Sequence, residues 1–565
     1  MRSRNKNEQG NATGWYVGIA AAVAVVIGIL WFIICYWADY GSRLWQWLTE
    51  SLWGRGFWPN GWNLIGASAW AYLLVGIIAG AITYFFWEEI RYSGGRRNSV
   101  VAYIAAGLSG LLIVSSFVVW FVSIDDRSES YAANTKFVVA DKSDLNTNLQ
   151  RLDGKYIEEG DYSQAWEPRV ASATGAKTVI KRSSESDSGN TLLLDTMTYT
   201  YGDKPGWTAI RDGKKKQPLY GVAFWPGEGN VQTCRFTGDY NMGKALHGKW
   251  GNSLLDEIAG YNKSLFFDEN DMWGYCKPAG DPNTVEDDQP VLVIPVKTWD
   301  GYGHRATWYS AGVLTITGSS SGTAQINHVT SVEPGQFPGP VYPISLAADQ
   351  REESVWLAGK ANKWFRDFGY TTTDVESQAG NTSEFLLKSK NDGHLYWVTP
   401  LRARGSDSQL VTAYSLIRAD EATEGQYNAL RIYVLGKEDP RVVNLDDLEA
   451  RTRQAISEKD TGFYAAKGKL VEFLPLDDEN WQVYAELGGR VVYRIIVPAD
   501  SRVTPVVTKL SGLDEEPTND GSADSPGQGE DSKSSCDLPN LSDASEQSMI
   551  NCLSAIADEL ANRQS

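Results

Sequence analysis

Histidine is scarce in this chain, which has only four histidines in 565 residues. None of them forms an H-E-x-x-H sequence or lies four residues from another, and there is no Cys-x-x-Cys pair for zinc. The chain also lacks a G-x-x-x-x-G-K-[ST] phosphate loop and a G-x-G-x-x-G sequence. These absences argue against a zinc hydrolase, a phosphate-loop NTPase and a dinucleotide-binding enzyme. We therefore predict no catalytic residue, no metal and no cofactor.

Basic residues are fewer than acidic residues. Lys and Arg number 52 against 70 Asp and Glu, which gives a net charge of −18. A surface of that sign repels the phosphates of nucleic acids. We therefore expect no nucleic-acid partner.

Charged residues are absent from three long apolar segments, 14–37, 63–86 and 100–124. At 1.5 Å per helical residue each segment could cross a hydrocarbon core about 30 Å thick. The pattern predicts a three-helix anchor in the lipid bilayer, and its lack of ionisable groups argues against a transporter. Within the second segment, Gly76 and Gly80 predict close helix approach and a homo-oligomer.

Short-loop Lys and Arg residues predict the orientation of this anchor. They place the N-terminus and the loop 87–99 inside, so that residues 126–565 lie outside the cell. The predicted localisation is the cell (plasma) membrane, with several crossings. Four of the five cysteines fall in the outer region, which predicts two disulfides, Cys234–Cys276 and Cys536–Cys552. Free buried thiols are the alternative.

The outer region carries short apolar runs broken by Gly, Asp and Pro, and helical patterns at 252–259, 346–368 and 444–456. This mixture predicts an α+β ectodomain. The segment 289–310 aligns without gaps on 394–415, which indicates two repeated modules. Pro295 and Pro400 occupy matching positions, where we expect sheet edges, because proline donates no ladder hydrogen bond.

These features divide the chain into seven predicted parts. They are a cytoplasmic tail (1–13), a three-helix membrane anchor (14–125), a stalk (126–165), ectodomain module 1 (166–340), ectodomain module 2 (341–512), a disordered acidic linker (513–535) and a disulfide-stapled helical tail (536–565).

Two sets of residues are candidates for binding. In the tail, an apolar stripe either docks on the ectodomain or meets another protein; it includes Met549, Leu553, Ile556 and Leu560. Trp225 and Trp299 stand just before glycine-containing loops and are the best surface aromatics for sugar stacking or an interface.

Signals of other chemistry are weak. The G-x-S-x-G sequence at 318–322 lies between two strand-like runs, which favours a hairpin turn over a nucleophile elbow. Acidic clusters at 268–271 and 477–480 could bind Ca²⁺ but lack EF-hand spacing, so solvated turns are favoured. A carboxylate pair for glycoside cleavage stays open, because such pairs are defined by their separation in space.

The layout of N-terminal spans and a Cys-bearing ectodomain with Trp273-Gly274-Tyr275-Cys276 resembles uncharacterised membrane proteins of phages and mobile elements in Gram-positive, actinobacterial hosts. The resemblance implies a role at a bacterial cell surface. We predict a non-catalytic binding or assembly protein of the cell envelope, with other envelope or membrane proteins as partners. The alternatives are a cell-wall glycan enzyme and a sensor subunit that works through a partner.

Overall fold

The computed structural model describes most of the chain between residues 133 and 510. The described residues are 133–510 apart from 144, 187–189, 214–216, 248–252, 280–287, 301–306, 374–383, 407, 437–438 and 489, together with 80, 107, 110–111, 113–115, 118 and 129–131.

Five α-helices lie among the described residues of 133–510. They are α1 (Ala173–Ser186), α2 (Leu254–Tyr261), α3 (Ile344–Glu353), α4 (Lys360–Arg366) and α5 (Leu445–Lys459). The start of α5 follows from its sequence: the Asn444 side chain accepts a hydrogen bond from Asp446 N at 2.9 Å, and acidic residues in the first turn suit the helix dipole.

Strands make up most of the ordered structure. The first twelve are β1 (Thr135–Val139), β2 (Ile157–Glu159), β3 (Asn190–Tyr201), β4 (Pro205–Gly213), β5 (Gly221–Trp225), β6 (Gln232–Arg235), β7 (Leu265–Phe266), β8 (Trp273–Lys277), β9 (Gln289–Asp300), β10 (Thr307–Thr317), β11 (Gln325–Val329) and β12 (Ser331–Val332). The others are β13 (Tyr370–Thr372), β14 (Phe385–Lys388), β15 (Leu395–Ala403), β16 (Leu410–Val411), β17 (Ala413–Arg418), β18 (Ala422–Thr423), β19 (Leu430–Val434), β20 (Val443–Asn444), β21 (Lys469–Pro475), β22 (Asn480–Leu487), β23 (Arg490–Pro498) and β24 (Val506–Lys509).

One arrangement, a helix followed by an antiparallel meander of four strand positions, occurs four times. The first meander is α1 with β3-β4-β5-β6, and the fourth is α5 with β21-β22-β23-β24. In the second, α2 precedes β9-β10-β11, and the short strands β7 and β8 share the other side of β9. In the third, α4 precedes β15-β17-β19, and β13 and β14 share the other side of β15.

Shared hydrophobic cores join the meanders. Ile210 of the first packs in one core with Leu292 of the second, and Trp207 of the first shares another with Leu395 of the third. Val398 of the third and Val483 of the fourth belong to a common core. The four meanders therefore pack as parts of one compact unit.

The predicted membrane anchor is corrected by the structure. Among the described residues no helix is long and apolar enough to cross a membrane. The longest in the region from 133 to 510, α5, has 15 residues, whereas a span needs about 20. The multi-pass membrane localisation is therefore not supported. Apart from single positions, the segments 14–37, 63–86 and 100–124 lie outside the described residues, as does Gly76.

The α+β class is also wrong, because the described residues are mostly β-sheet with few helices. The predicted helix 346–368 is divided into α3, a 3₁₀ turn and α4. The segment 126–165, predicted as a stalk, contributes β1 and β2 to the sheet of the third meander, where both run parallel. In this region the strand-forming preference of Val, Ile, Tyr and Thr therefore decides the secondary structure more often than the helical patterns do.

The disulfide Cys234–Cys276 is confirmed. It ties β6 of the first meander to β8 of the second. Cys536, Cys552 and the apolar stripe Met549, Leu553, Ile556 and Leu560 lie outside the described residues. The boundary between modules at 340 falls between the second and third meanders and stays a prediction.

Candidate functional site

A cavity of about 310 Å³ lies where the four meanders meet, and we call it the junction cavity. It is lined by Arg169, Ala173, Met197, Thr198, Tyr199, Trp207, Asn270, Asp271, Pro295, Pro340, Tyr342, Ile344, Glu384, Phe385, Leu386, Trp397 and Glu472. Small-molecule sites usually range from about 300 to 1,000 Å³ and combine apolar walls with a few polar groups. The junction cavity has both properties.

Glu472 reaches the cavity from a β-bulge. The pairing of β21 with β22 shifts register between Val471 and Phe473, so Glu472 is the extra residue. Its φ is 51°, a left-handed conformation that costs a non-glycine residue roughly 1–3 kcal/mol. The side chain is buried, with the residue 1% exposed, and one carboxylate oxygen, Oε1, accepts a hydrogen bond from the backbone N–H of Ala173. The bulge thus turns a carboxylate inwards to the first residue of α1.

Arg169 lies beside this carboxylate. Its Nη1 is 3.7 Å from Glu472 Oε2, and its Nη2 donates to the carbonyl oxygen of Leu386 at 3.0 Å. The guanidinium carbon is 5.2 Å from the ring centroid of Trp207 and 5.6 Å from that of Tyr199. Arg169 is therefore held by an ion pair, a hydrogen bond and two cation–π contacts.

Two buried atoms of this pair have unused hydrogen-bonding capacity within the described structure. Arg169 Nε donates no hydrogen bond, and Glu472 Oε2 accepts none. Other side chains elsewhere in the described region also have buried atoms of this kind, but these two belong to residues that line the cavity. A buried polar group without a partner is costly, so a pair of them at a cavity wall indicates a site for a polar molecule.

Asp271 is the second buried carboxyl of the wall. Its Oδ1 accepts from the backbone N–H of Ile344 at 3.2 Å, and its Oδ2 accepts from the hydroxyl of Ser345 at 3.2 Å. Ile344 is the first residue of α3. Asp271 and Glu472 therefore play the same structural role: each accepts the N–H of the first residue of a helix, α3 for Asp271 and α1 for Glu472.

Burial controls the ionisation of both carboxyls. It raises the pKa of Asp271 to about 7, an effect that Asp268 strengthens and that Lys297 and the two hydrogen bonds oppose. It also raises the pKa of Glu472 to about 7, against the opposing effects of Arg169 and Ala173 N–H. Each carboxyl is therefore close to half protonated at neutral pH.

The third acidic residue of the wall, Glu384, already has a cationic partner. Arg351 Nη1 donates to Glu384 Oε1 and also to the hydroxyl of Thr399 at 3.1 Å. Arg169 directly precedes the first meander, and Asp271, Glu384 and Glu472 come from the second, third and fourth meanders.

Aromatic side chains form the apolar part of the wall. The indole N–H of Trp207 donates to Ala171 O at 3.0 Å, and that of Trp397 donates to Tyr342 O at 3.0 Å. The hydroxyl of Tyr342 donates to Gln350 at 2.6 Å. Because these polar atoms are bonded to the protein, the aromatic groups offer the cavity their apolar surfaces.

The predicted surface tryptophans are not part of this site. Trp225 is buried, 5% exposed, and its indole N–H donates to Gly229 O at 3.2 Å, so its predicted surface position is corrected. Trp299 lies in β9 opposite Trp308, and its side chain is outside the described set. The strand β5 that carries Trp225 packs its ring into a hydrophobic core.

The predicted acidic clusters have different outcomes. Asp268 and Glu269 belong to a 3₁₀ turn that ends with the buried Asp271. Asp477 Oδ1 accepts from the backbone N–H groups of Glu479 and Asn480, which is an ordinary turn. No group of three or more His, Cys, Asp or Glu side chains able to hold a metal occurs in the described part of the chain.

The residues that matter most in the wall were missed by sequence reasoning. Glu472 is the single charged residue within Leu470–Leu474, and an isolated carboxyl in an apolar strand was the available signal. Arg169 had no comparable signal, because its partners are distant in sequence. Compared with known proteins, the chain matches no family model, no curated protein and no solved structure.

Proposed function

We propose that this protein is a non-catalytic binding protein that holds a small organic ligand in the junction cavity. The observation that carries the proposal is the wall of that cavity, which combines aromatic side chains with Arg169 and Glu472, whose buried Nε and Oε2 make no hydrogen bond among the described residues. Apolar walls with a few convergent polar groups are typical of ligand sites.

The contacts of the two carboxyls support binding over catalysis. Asp271 accepts hydrogen bonds at the start of α3 through both oxygens, and Glu472 uses Oε1 at the start of α1. A general acid or base must exchange a proton with the reacting group at hydrogen-bond distance. Carboxyls that hold helix ends in place are better suited to fixing the shape of a site than to proton transfer.

Because residues from all four meanders line the cavity, ligand binding should affect how the meanders pack. A ligand there contacts residues of the first, second, third and fourth meanders at once. It would therefore stabilise their packing against one another, since any ligand that binds only the folded state adds to its stability. A partner protein that binds only the packed form would then bind more strongly when the ligand is present.

Thermal unfolding of the purified full-length chain in a small-molecule library tests this proposal. We expect at least one compound to raise the Tm by several degrees. The variant Ala173→Leu, which fills part of the cavity wall, should abolish that shift. The control Phe365→Ala, at a side chain that is 83% exposed, should keep it. A shift that survives Ala173→Leu, or no binding compound at all, would overturn the proposal.

Glycan cleavage is the second candidate, and one observation favours it. Asp271 and Glu472 both have a pKa of about 7, which suits a general acid at neutral pH. Under this hypothesis, incubation with polysaccharides generates new reducing ends and Glu472→Gln abolishes them. Binding without new reducing ends would exclude this candidate and leave the first.

A further inference from the structure

We propose that the ligand of the junction cavity is an uncharged, polyhydroxylated ring, such as a single saccharide unit, held by Arg169 and Glu472. This inference rests on the proposed function and specifies the ligand class for the same cavity.

The first argument concerns the hydrogen bonds that the wall of the cavity can donate and accept. Arg169 Nε can only donate a hydrogen bond, whereas Glu472 Oε2 accepts one when ionised and can donate one when protonated. A hydroxyl group does both, since it has one O–H and two lone pairs. One hydroxyl, or two on adjacent ring carbons, can therefore accept from Arg169 and donate to Glu472. An ammonium group cannot accept from Arg169 Nε, and a carboxylate cannot donate to ionised Glu472, whereas a hydroxyl suits either state of Glu472.

The second argument is charge. Arg169 is 3.7 Å from Glu472, and Arg351 contacts Glu384, so two of the three acidic groups in the wall already have a cation beside them. Lys297 lies near the third, Asp271, and lowers its pKa against the effect of burial. A charged ligand would meet one of these partners as a like charge in a buried setting, where an added net charge is costly. Electrostatics therefore favours an uncharged ligand.

The third argument is the aromatic surface next to the polar pair. Tyr199 and Trp207 have ring centroids 5.2 Å apart in an edge-to-face arrangement beside Arg169. Trp397 supplies further aromatic surface in the same wall. A saccharide ring has apolar C–H faces and a polar rim, so it can pack its faces on such rings while its hydroxyls reach the charged pair. An apolar ring would leave both polar atoms without partners.

Isothermal titration of the full-length chain tests the ligand class. The probes are neutral hexoses and N-acetylhexosamines, a neutral disaccharide, glucosamine and glucuronate as charged relatives of glucose, and cyclohexanol as a ring with one hydroxyl. We expect a neutral saccharide to bind, and its charged relatives to bind about tenfold more weakly or worse. Binding of the disaccharide but not of its units would indicate the end of a longer glycan.

Variants then locate the binding. Glu472→Gln keeps the size of the side chain but removes the charged acceptor, so saccharide affinity should fall about tenfold or more. Phe365 on α4 is exposed and does not line the cavity, so Phe365→Ala should leave the saccharide affinity unchanged. If Glu472→Gln does not fold, Trp397→Phe, which trims the aromatic wall, should weaken binding several-fold.

The outcomes separate this inference from the proposed function. If a charged compound or cyclohexanol binds and every neutral saccharide fails, with binding sensitive to Glu472→Gln, the ligand class is wrong and the binding site stands. If saccharides bind equally to all variants, the assignment of the site is wrong. If no compound of any class binds, both proposals fail.

Discussion

The second and third meanders share an arrangement of strands but differ in how firmly each is held to the rest of the protein. In both, one proline lies in a long central strand, Pro295 in β9 and Pro400 in β15. On one side of β9, β8 pairs up to Val293 and β7 pairs from Lys297, so Pro295 faces a gap. On one side of β15, β14 pairs up to Val398 and β13 pairs from Leu401, so Pro400 faces a gap as well.

These gaps correct the prediction that both prolines mark sheet edges. Each proline lies in an interior strand, opposite Val313 or Tyr414, and the missing N–H falls where the neighbouring ladder is interrupted. Two short strands on the same side of a longer strand can therefore leave a local edge inside a sheet. The two aligned segments also differ in strand register: Ser310 faces Lys297, whereas the matching Ser415 faces Thr399 and not Arg402.

The helices of the two meanders differ more than the strands. In α2, Leu254, Leu255, Ile258 and Ala259 are buried, whereas α4 has no buried residue. We therefore expect Leu255→Ala to lower the free energy of unfolding by about 3 kcal/mol through lost burial and a cavity. Phe365→Ala in α4 should change it by less than about 0.5 kcal/mol. Urea denaturation checks both, and equal effects would remove this distinction between the helices.

The disulfide is the next largest difference, because Cys276 ties the second meander to the first across 42 positions of sequence and the described part of the third has no such link. Replacing Cys234 and Cys276 together by Ala should lower the free energy of unfolding by about 3 kcal/mol. Urea denaturation of the wild type under reducing conditions should reproduce the variant's midpoint. A variant as stable as the oxidised protein would show that the core alone holds these meanders.

Features that depend on residues close together in sequence could be predicted, whereas features that depend on distant residues could not. The helix α5 follows from local propensity and from capping by Asn444, and it is found close to the predicted helical pattern at 444–456. The disulfide followed from the small number of cysteines, which were expected to pair with a near neighbour in sequence.

The junction cavity had no such local signal. Arg169 and Glu472 are about 300 residues apart, and only the packing of four meanders brings them to 3.7 Å. Trp225 shows the reverse error: a loop-edge position suggested exposure, but pairing of β4 with β5 places it opposite Trp207 in a core. Sequence patterns describe one strand at a time, whereas the cavity depends on contacts between sheets.

The second meander also supplies a buried carboxyl, Asp271, whose effect should depend on pH. Its pKa rises from the usual 3.8 to about 7 on folding, so the folded state binds more protons between these values. The contribution of Asp271 to stability is therefore fully present below about pH 4 and is lost as the pH rises towards 7. Asp271→Asn should remove on the order of 2 kcal/mol of that fall. Urea midpoints at pH 4.5 and 7.5 measure it, and an unchanged slope would contradict the assignment.

The smallest expected effect concerns His247, which links Glu269 of the second meander to Asp212 of the first. Hydrogen bonds to Asp212 and Glu269 raise its pKa from 6.5 to about 9, although burial opposes them. The stabilisation is present below pH 6.5 and lost as the pH rises through 9. Because the side chain is 46% exposed, His247→Gln should cost under about 1 kcal/mol at pH 6 and almost nothing at pH 10. A difference that persists at pH 10 would rule out the ion pairs as its cause.

Residues from all four meanders line the junction cavity, and this has a consequence for how the protein matures. A chain that has folded three meanders lacks one corner of the cavity, so it cannot bind as the finished protein does. If the cavity binds a ligand as proposed, its occupancy would distinguish completed molecules from partly folded or truncated ones, and fragments that lack a meander would lose binding.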